Sequence, residues 1–257
     1  MPIEDRIFVK NPFAAKRLAP GRQTYVLPST DSWGSHVDRW RQLEGRACVL
    51  GPHGVGKSTY LLSFARACWE RGEDASRWHW YQVRPSGEMS AMQPTLTVEA
   101  NEKAWQVVRG KDCSIRNLLS AADDQDTVVI DGYDSLGWFS RFRLNQKLRK
   151  KGCRLLATTH SRMRSLQALV ELRPTLADFA RVIANWQPRV TISDSDLEAV
   201  WNQHDGNIRE CLFELYDRWD AGELGEAQES LRQKQIAAIQ LWSDPAVPNV
   251  AAMTDRR

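Results

Sequence analysis

Apolar and polar positions along the chain fall into two alternating patterns. Largely continuous apolar runs occur at 47–50 (ACVL), 78–83 (WHWYQV), 127–130 (TVVI) and 155–159 (LLATT). Runs this short, with little polar alternation, predict strands buried on both faces, as in a parallel sheet. Between them the period changes. Leu61, Phe64, Ala65 and Cys68 recur at i, i+3, i+4 and i+7, one face of a helix that runs from Lys57 and stops at Gly72. A second helix is expected over about 136–151, stopped by Gly152, and a shorter one over 33–43, capped by Asp31 or Ser32. Strands alternating with helices imply an α/β fold: a parallel sheet covered on both faces, in three α/β/α layers. Residues 85–113 fit this rhythm least and read as an insertion carrying a hairpin.

The two ends of the chain differ from this core. Residues 1–31 carry Pro2, Pro12, Pro20, Gly21 and Pro28 and read as an extended arm. After about 188 the strand pattern stops. Ser195-x-x-Glu198 has the form of a capping box for a helix through His204. Asp205-Gly206-Asn207 makes a turn, and Ile208, Cys211, Leu212, Leu215 and Trp219 follow at helical spacing. A charged last helix is expected over 223–241. The predicted organisation is therefore an arm at 1–31, an α/β domain at 32–188, a small helical lid at 189–243 and a flexible tail at 244–257.

Composition narrows the class only a little. Of 257 residues, 42% are hydrophobic and 26% charged, which excludes a disordered or fibrous chain. Lys and Arg exceed Asp and Glu by 35 − 32 = 3, too few to demand a polyanionic partner from charge alone. Eleven Trp read as core and interface anchors. The five cysteines (Cys48, Cys68, Cys113, Cys153, Cys211) form no C-x-x-C pair, which argues against a disulfide framework or zinc ribbon and for a reducing, cytoplasmic setting. The first residues lack the apolar stretch of a signal peptide, and no run is long enough to span a membrane.

The chemistry is concentrated at the ends of the apolar runs. Gly51-Pro52-His53-Gly54-Val55-Gly56-Lys57-Ser58 fits G-x-x-x-x-G-K-[ST], follows a strand and opens a helix. Such a loop wraps backbone N–H groups around phosphates, and the helix directs its positive end at the anion. By composition, a chance match arises in roughly one chain of this length in a hundred. On these residues the chain resembles the P-loop NTPases. The resemblance implies that residues 51–59, Thr59 included, cradle a nucleotide. Lys57 would reach the β/γ-phosphates, and the Ser58 hydroxyl would ligate Mg²⁺.

Thr127–Asp131, four largely apolar residues ending in an acid, resembles the Walker B strand of that class, which implies that Asp131 holds Mg²⁺. Many ATPases of the AAA+ type place Glu next, whereas here stands Gly132. The string Asp131-Gly132-Tyr133-Asp134-Ser135 instead resembles the D-G-x-D-E signature of NACHT-type signalling NTPases, with Ser135 in place of its last acid. Asp134 is therefore a candidate for positioning water. It is equally a candidate helix N-cap.

The run 155–159 ends in Thr158, Thr159 and His160. In ATPases of the additional-strand class this strand lies between the P-loop and Walker B strands, and its polar tip, sensor 1, reads the γ-phosphate. Alternation puts Thr158 and His160 on one face and Thr159 on the other. Thr159 and His160 are taken as the nucleotide contacts. His160 also resembles the histidine switch of ABC transporters, but the chain has no LSGGQ-like signature. His204-Asp205-Gly206-Asn207-Ile208-Arg209 resembles the G-x-x-R lid motif of AAA+ ATPases. The motif implies that Arg209, as sensor 2, reaches from the lid to the γ-phosphate. The GTP-selecting N-K-x-D is absent, so ATP is the expected nucleotide.

Residues 137–164 hold nine Lys or Arg and no Asp or Glu, with Trp138, Phe139 and Phe142 at their start. Three readings stand: a solvated helix face, a surface for nucleic acid or an acidic protein partner, or an arginine finger, Arg162 or Arg164, for a neighbouring subunit in a self-associated form. The functions in view are a Mg²⁺-dependent ATPase that couples nucleotide state to lid movement and a protein partner, a nucleotide-gated module with little hydrolysis, and a DNA-associated helper ATPase.

Overall fold

The computed structural model describes residues 11–14, 22–99, 102–186 and 190–226. The core is the expected α/β architecture. In chain order it runs α1 (Trp33–Gln42), β1 (Arg46–Leu50), α2 (Lys57–Trp69), β2 (Trp78–Val83), β3 (Met89–Glu99), β4 (Glu102–Asp112), α3 (Ile115–Ala121), β5 (Thr127–Asp131), α4 (Trp138–Lys150), β6 (Arg154–Thr159) and β7 (Gln167–Glu171). Seven strands form one sheet in the order β4-β3-β2-β5-β6-β1-β7. The five from β2 to β7 are parallel, and β3 and β4 extend the edge as an antiparallel hairpin, as expected for 85–113. Strand β6 lies between β1 and β5, the additional-strand position expected from the sequence.

Each face of the sheet buries its own core. On one side Val37 and Trp40 of α1 and Tyr60, Phe64 and Cys68 of α2 pack on Val49, Val129 and Leu156. On the other, Leu118 of α3 and Leu144 and Leu148 of α4 pack on Val128, Ile130, Leu155 and Ala157. Alternate residues of β5 and β6 thus go to opposite layers, which fixes where the polar residues at the strand ends can point.

A third core is helical. It joins Phe179 and Ile183 of α5 (Leu176–Trp186), Leu197 and Val200 of α6 (Asp194–Gln203), and Cys211, Leu212 and Leu215 of α7 (Ile208–Asp220). It reaches back to Phe179, on the N-terminal side of the expected boundary at 188. Phe13 of the arm is fully buried in it, and the Asn11 amide donates to the Tyr216 carbonyl at 2.9 Å. Farther on, the Tyr25 N–H donates to Ser63 Oγ at 2.9 Å, so the arm also touches the α/β core.

Several local expectations change. Ser32, not Asp31, caps α1. The α4 helix starts at Trp138 rather than 136, because Tyr133–Ser135 forms a 3-10 turn and Gly137 takes the cap position. The cap of α6 is Ser193, whose Oγ accepts the Asp196 N–H at 3.1 Å, two residues ahead of the expected Ser195 box. Strand β7 and helix α5 were not anticipated. Residues Gly225–Glu226 form a short strand, β9, paired with β8 (Val190–Thr191), where a helix was expected from 223. The rest of that helix and the tail at 244–257 lie outside the described residues. No helix among the described residues is long and apolar enough to cross a membrane.

Candidate functional site

The site forms where the parallel strands end. Strand β1 delivers the chain at Gly51, and the loop turns into α2 at Lys57. The Lys57 ammonium folds back along the loop and donates to the Gly51 carbonyl at 2.7 Å and the Pro52 carbonyl at 2.6 Å. Burial lowers its pKa from 10.5; Asp131 and Asp134 oppose this, while Arg209 adds to it. Pro52 and His53 are exposed at the loop crest, Val55 is sunk in the core beneath, and Thr59 is buried in the first turn of α2.

Beside the loop, Ser58 Oγ donates to Asp131 Oδ2 at 2.7 Å. Asp131 follows Val129 onto the α2 side of the sheet, which brings it to the start of that helix. Its other oxygen, Oδ1, accepts from Thr158 Oγ1 at 2.7 Å, and Thr158 Oγ1 accepts the Gly132 N–H at 2.7 Å. A carboxylate and a hydroxyl in contact, both hard oxygen donors with the carboxylate fixed from behind, suit Mg²⁺, which needs few protein ligands when a nucleotide supplies phosphate oxygens. The donor set therefore fits that ion, with Ser58 and Asp131 as the residues to hold it.

The tip of β6 corrects one expectation. Thr158, like Leu156, faces the α2 side and touches Asp131, whereas Thr159 follows Ala157 to the opposite face and is fully buried. The sequence pattern offers Thr159 as the contact; Thr158 is the threonine that reaches Asp131.

Gly132 is fixed by its backbone. Its φ is +80°, and a Cβ there would stand 2.4 Å from the Val83 carbonyl oxygen of β2. Any side chain is excluded, so a glutamate, which many AAA+ ATPases carry at this point, has no room here. The acid that remains is Asp134 in the 3-10 turn. It does not cap α4, whose cap makes no side-chain bond. Instead its Oδ2 accepts both the His160 N–H at 2.8 Å and His160 Nδ1 at 2.6 Å. Burial alone would raise the Asp134 carboxyl; the hydrogen bonds from His160 outweigh it and hold the pKa below 3.8. The ionised Asp134 is thus the acceptor for a proton on His160 Nδ1. Asp134 Oδ1 is buried with no hydrogen-bond partner among the described residues.

The His160 ring in turn stacks on His53 of the loop, centroids 3.7 Å apart and planes 30° from parallel. Burial lowers the His53 pKa below 6.5, and His160, Lys57 and Arg209 push it the same way against Asp134. His53 is thus neutral at pH 7. His53 belongs to the loop motif and His160 to a strand tip, and nothing in either motif foretells their stacking.

The helical unit closes on the loop from above. The Arg209 N–H donates to the Gly54 carbonyl at 3.1 Å. A Cβ on Gly54 would overlap the Asn207 amide at 1.7 Å, so this glycine is what lets the α7 cap dock on the loop. The Arg209 side chain is exposed beside Lys57 and His53, close enough to shift both. Of the two arginine-finger candidates, Arg162 is held by Glu171 at 3.0 Å, and Arg164 is exposed.

The strand order and the loop between β1 and α2 define a P-loop NTPase core with the additional strand. No protein-family model matches the chain, and no curated protein matches it. Two solved structures that resemble it in shape are mutant forms of Thermotoga maritima RuvB. One has 14% identity and a TM-score of 0.43, covering 72% of this chain and 57% of the RuvB chain. The other has 14% identity and a TM-score of 0.45, covering 75% and 61%. The chain thus spans about three fifths of the length of those structures.

Proposed function

We propose that this protein is a Mg²⁺-dependent ATPase of AAA+-like type, in which nucleotide state moves the helical unit against the core. The observation that carries the reading is the convergence of Lys57, the Ser58–Asp131 pair and the Asp134–His160 pair on one loop, which the lid itself touches through Arg209 and Gly54. The backbone of residues 51–59 wraps the phosphates. Lys57 exchanges its two carbonyl partners for phosphate oxygens, at little cost because both partners are polar and adjacent. Mg²⁺, when bound with the nucleotide by Ser58 and Asp131, supplies charge that neutralises the phosphates.

Asp134 orients the attacking water through His160. The carboxylate accepts from the His160 backbone N–H and from ring Nδ1, and Nε2, the other ring nitrogen, takes the water proton. Arg209, set in the first turn of α7, meets the γ-phosphate from the lid, so loss of that phosphate releases one of the lid's anchors. In the Lys57→Ala variant ATP binding, measured by calorimetry with Mg²⁺, should weaken by at least tenfold, the scale of a lost charge-assisted hydrogen bond. Unchanged affinity would contradict the site assignment.

A second reading, a nucleotide-gated interaction module with little hydrolysis, is favoured by Gly132, which removes the acid nearest Asp131. The two readings share the binding site and differ in turnover. ATP bound at this site but intact after hours with excess protein would select the second.

A further inference from the structure

We propose that the exposed face of α4 binds single-stranded nucleic acid. Leu144 and Leu148 anchor this helix to the sheet, and its outer face carries three large aromatics in the first turn and a half. Trp138 is 74% exposed, Phe139 53% and Phe142 59%. Scattered exposed aromatics need no explanation, but three contiguous ones on a rigid helix mark a binding surface. Arg143 lies over the Phe139 ring, its Cζ 5.5 Å from the centroid, a cation already set against an aromatic face.

The cations of the same face are unspent. Arg154 pairs with Glu73, Arg162 with Glu171, and Lys151 donates to the Leu119 and Ala122 carbonyls. Arg143, Lys147, Arg149 and Lys150 make no ion pair among the described residues, and residues 137–164 contain no Asp or Glu. The face therefore presents rings at one end and uncompensated positive charge along the rest, over the roughly 20 Å of a 13-residue helix.

A single strand offers the complement of both in one polymer: unstacked bases for the rings and phosphates for the cations. A duplex hides its base faces. A membrane surface fits less well, because beyond Phe142 the outer face continues as Arg143, Gln146, Lys147, Arg149 and Lys150, with no apolar residue to immerse. An acidic protein segment would satisfy the cations without supplying a flat partner for each ring. The helix, through its half-buried side, is also tied to the candidate nucleotide site. Tyr133 Oη donates to the Arg141 carbonyl at 3.2 Å, and Arg141 reaches back to the Asp134 carbonyl at 3.4 Å.

The test is fluorescence anisotropy of the full chain with a labelled oligothymidylate of about 20 nucleotides, a span that covers one or more such sites. A duplex of equal length, polyglutamate and phosphatidylserine vesicles are titrated in parallel. The oligothymidylate should bind best. The double variant Trp138→Ala/Phe142→Ala should weaken binding by roughly tenfold or more, the scale of lost base stacking. Lys147→Gln/Lys150→Gln should reduce the slope of log K against log salt by about 1.4. These side chains are exposed, so both variants should melt like the parent. Absence of oligothymidylate binding, binding untouched by either variant, or preferential binding of duplex, vesicles or polyglutamate would each overturn the proposal. None of these outcomes depends on ATP, so the proposal can fail while the nucleotide site stands.

Discussion

Two acid–histidine pairs sit at opposite ends of the same sheet, and they are built differently. At the N-terminal ends of the strands, Asp126 accepts from Arg77 Nε at 3.0 Å, His79 Nε2 at 2.9 Å and the Asp123 N–H at 2.8 Å. Both of its oxygens are used, and the cluster is closed. At the C-terminal ends, Asp134 gives one oxygen twice to His160, and its other oxygen is buried with no hydrogen-bond partner among the described residues. Its histidine stacks on a loop residue, with Lys57 and Arg209 close by. Both carboxyls are held below 3.8, Asp126 against burial by Asp123, His79 and Arg77, Asp134 against burial by His160. A low pKa alone therefore separates neither from the other. What separates them is satisfaction: the closed cluster stabilises the fold, and the open one retains capacity for a ligand.

The largest effect should come from the backbone that supports the open pair. Gly132→Ala forces a side chain into a left-handed backbone against the Val83 carbonyl and should cost about 3 kcal/mol in chemical denaturation. Gly137→Ala, whose Cβ would meet nothing within 4 Å, should change stability little. Equal losses in the two would remove the reason given for the missing glutamate.

Next comes the exchange between the pairs. Asp126→Asn should destabilise by about 2 kcal/mol, since it weakens two charged hydrogen bonds at a buried carboxylate, and should leave ATP affinity alone. Asp134→Asn should change stability by less than about 1 kcal/mol yet slow ATP hydrolysis by about 100-fold. If the two variants lost stability and hydrolysis alike, the distinction between closed and open clusters would fail.

A smaller effect concerns pH. The folded pKa of Asp126 is lowered, so its stabilisation is complete above 3.8 and is lost as pH falls through the depressed folded value. The gap in melting temperature between parent and Asp126→Asn should therefore hold from neutral pH down to about that point and close below it. A gap that persisted or widened in stronger acid would show that the cluster is held by something other than an ionised carboxylate.

Sequence and structure agree best where one local pattern fixes one geometry. The loop at 51–58 and the strands at 47–50, 127–130 and 155–159 were legible because apolar continuity and the glycine-lysine spacing are properties of contiguous residues. The order of the strands came only through a family resemblance, and it holds for β6. Thr158 and Thr159 show the limit. Alternation put them on opposite faces, but which face met Asp131 depended on the layer each strand buries, a property of the packed sheet. Strand β7 was missed because, among its residues, only Leu169 is buried, too little apolar signal for a period. Helix α5 does carry a helical stripe in Leu176, Phe179, Ala180 and Ile183; the signal is there, and the expected boundary at 188 cuts it from the helical core in which it packs. The His53–His160 stack joins residues 107 positions apart and has no local trace.

Action of the open pair on ATP bound by the loop is read out by single-turnover hydrolysis of radiolabelled ATP, with Mg²⁺ and excess protein, in the parent, Lys57→Ala and Asp134→Asn. The expected result is ADP formed within minutes by the parent, no retained nucleotide in Lys57→Ala, and ATP retained but largely intact in Asp134→Asn. Hydrolysis by Asp134→Asn at the parent's rate would contradict the account.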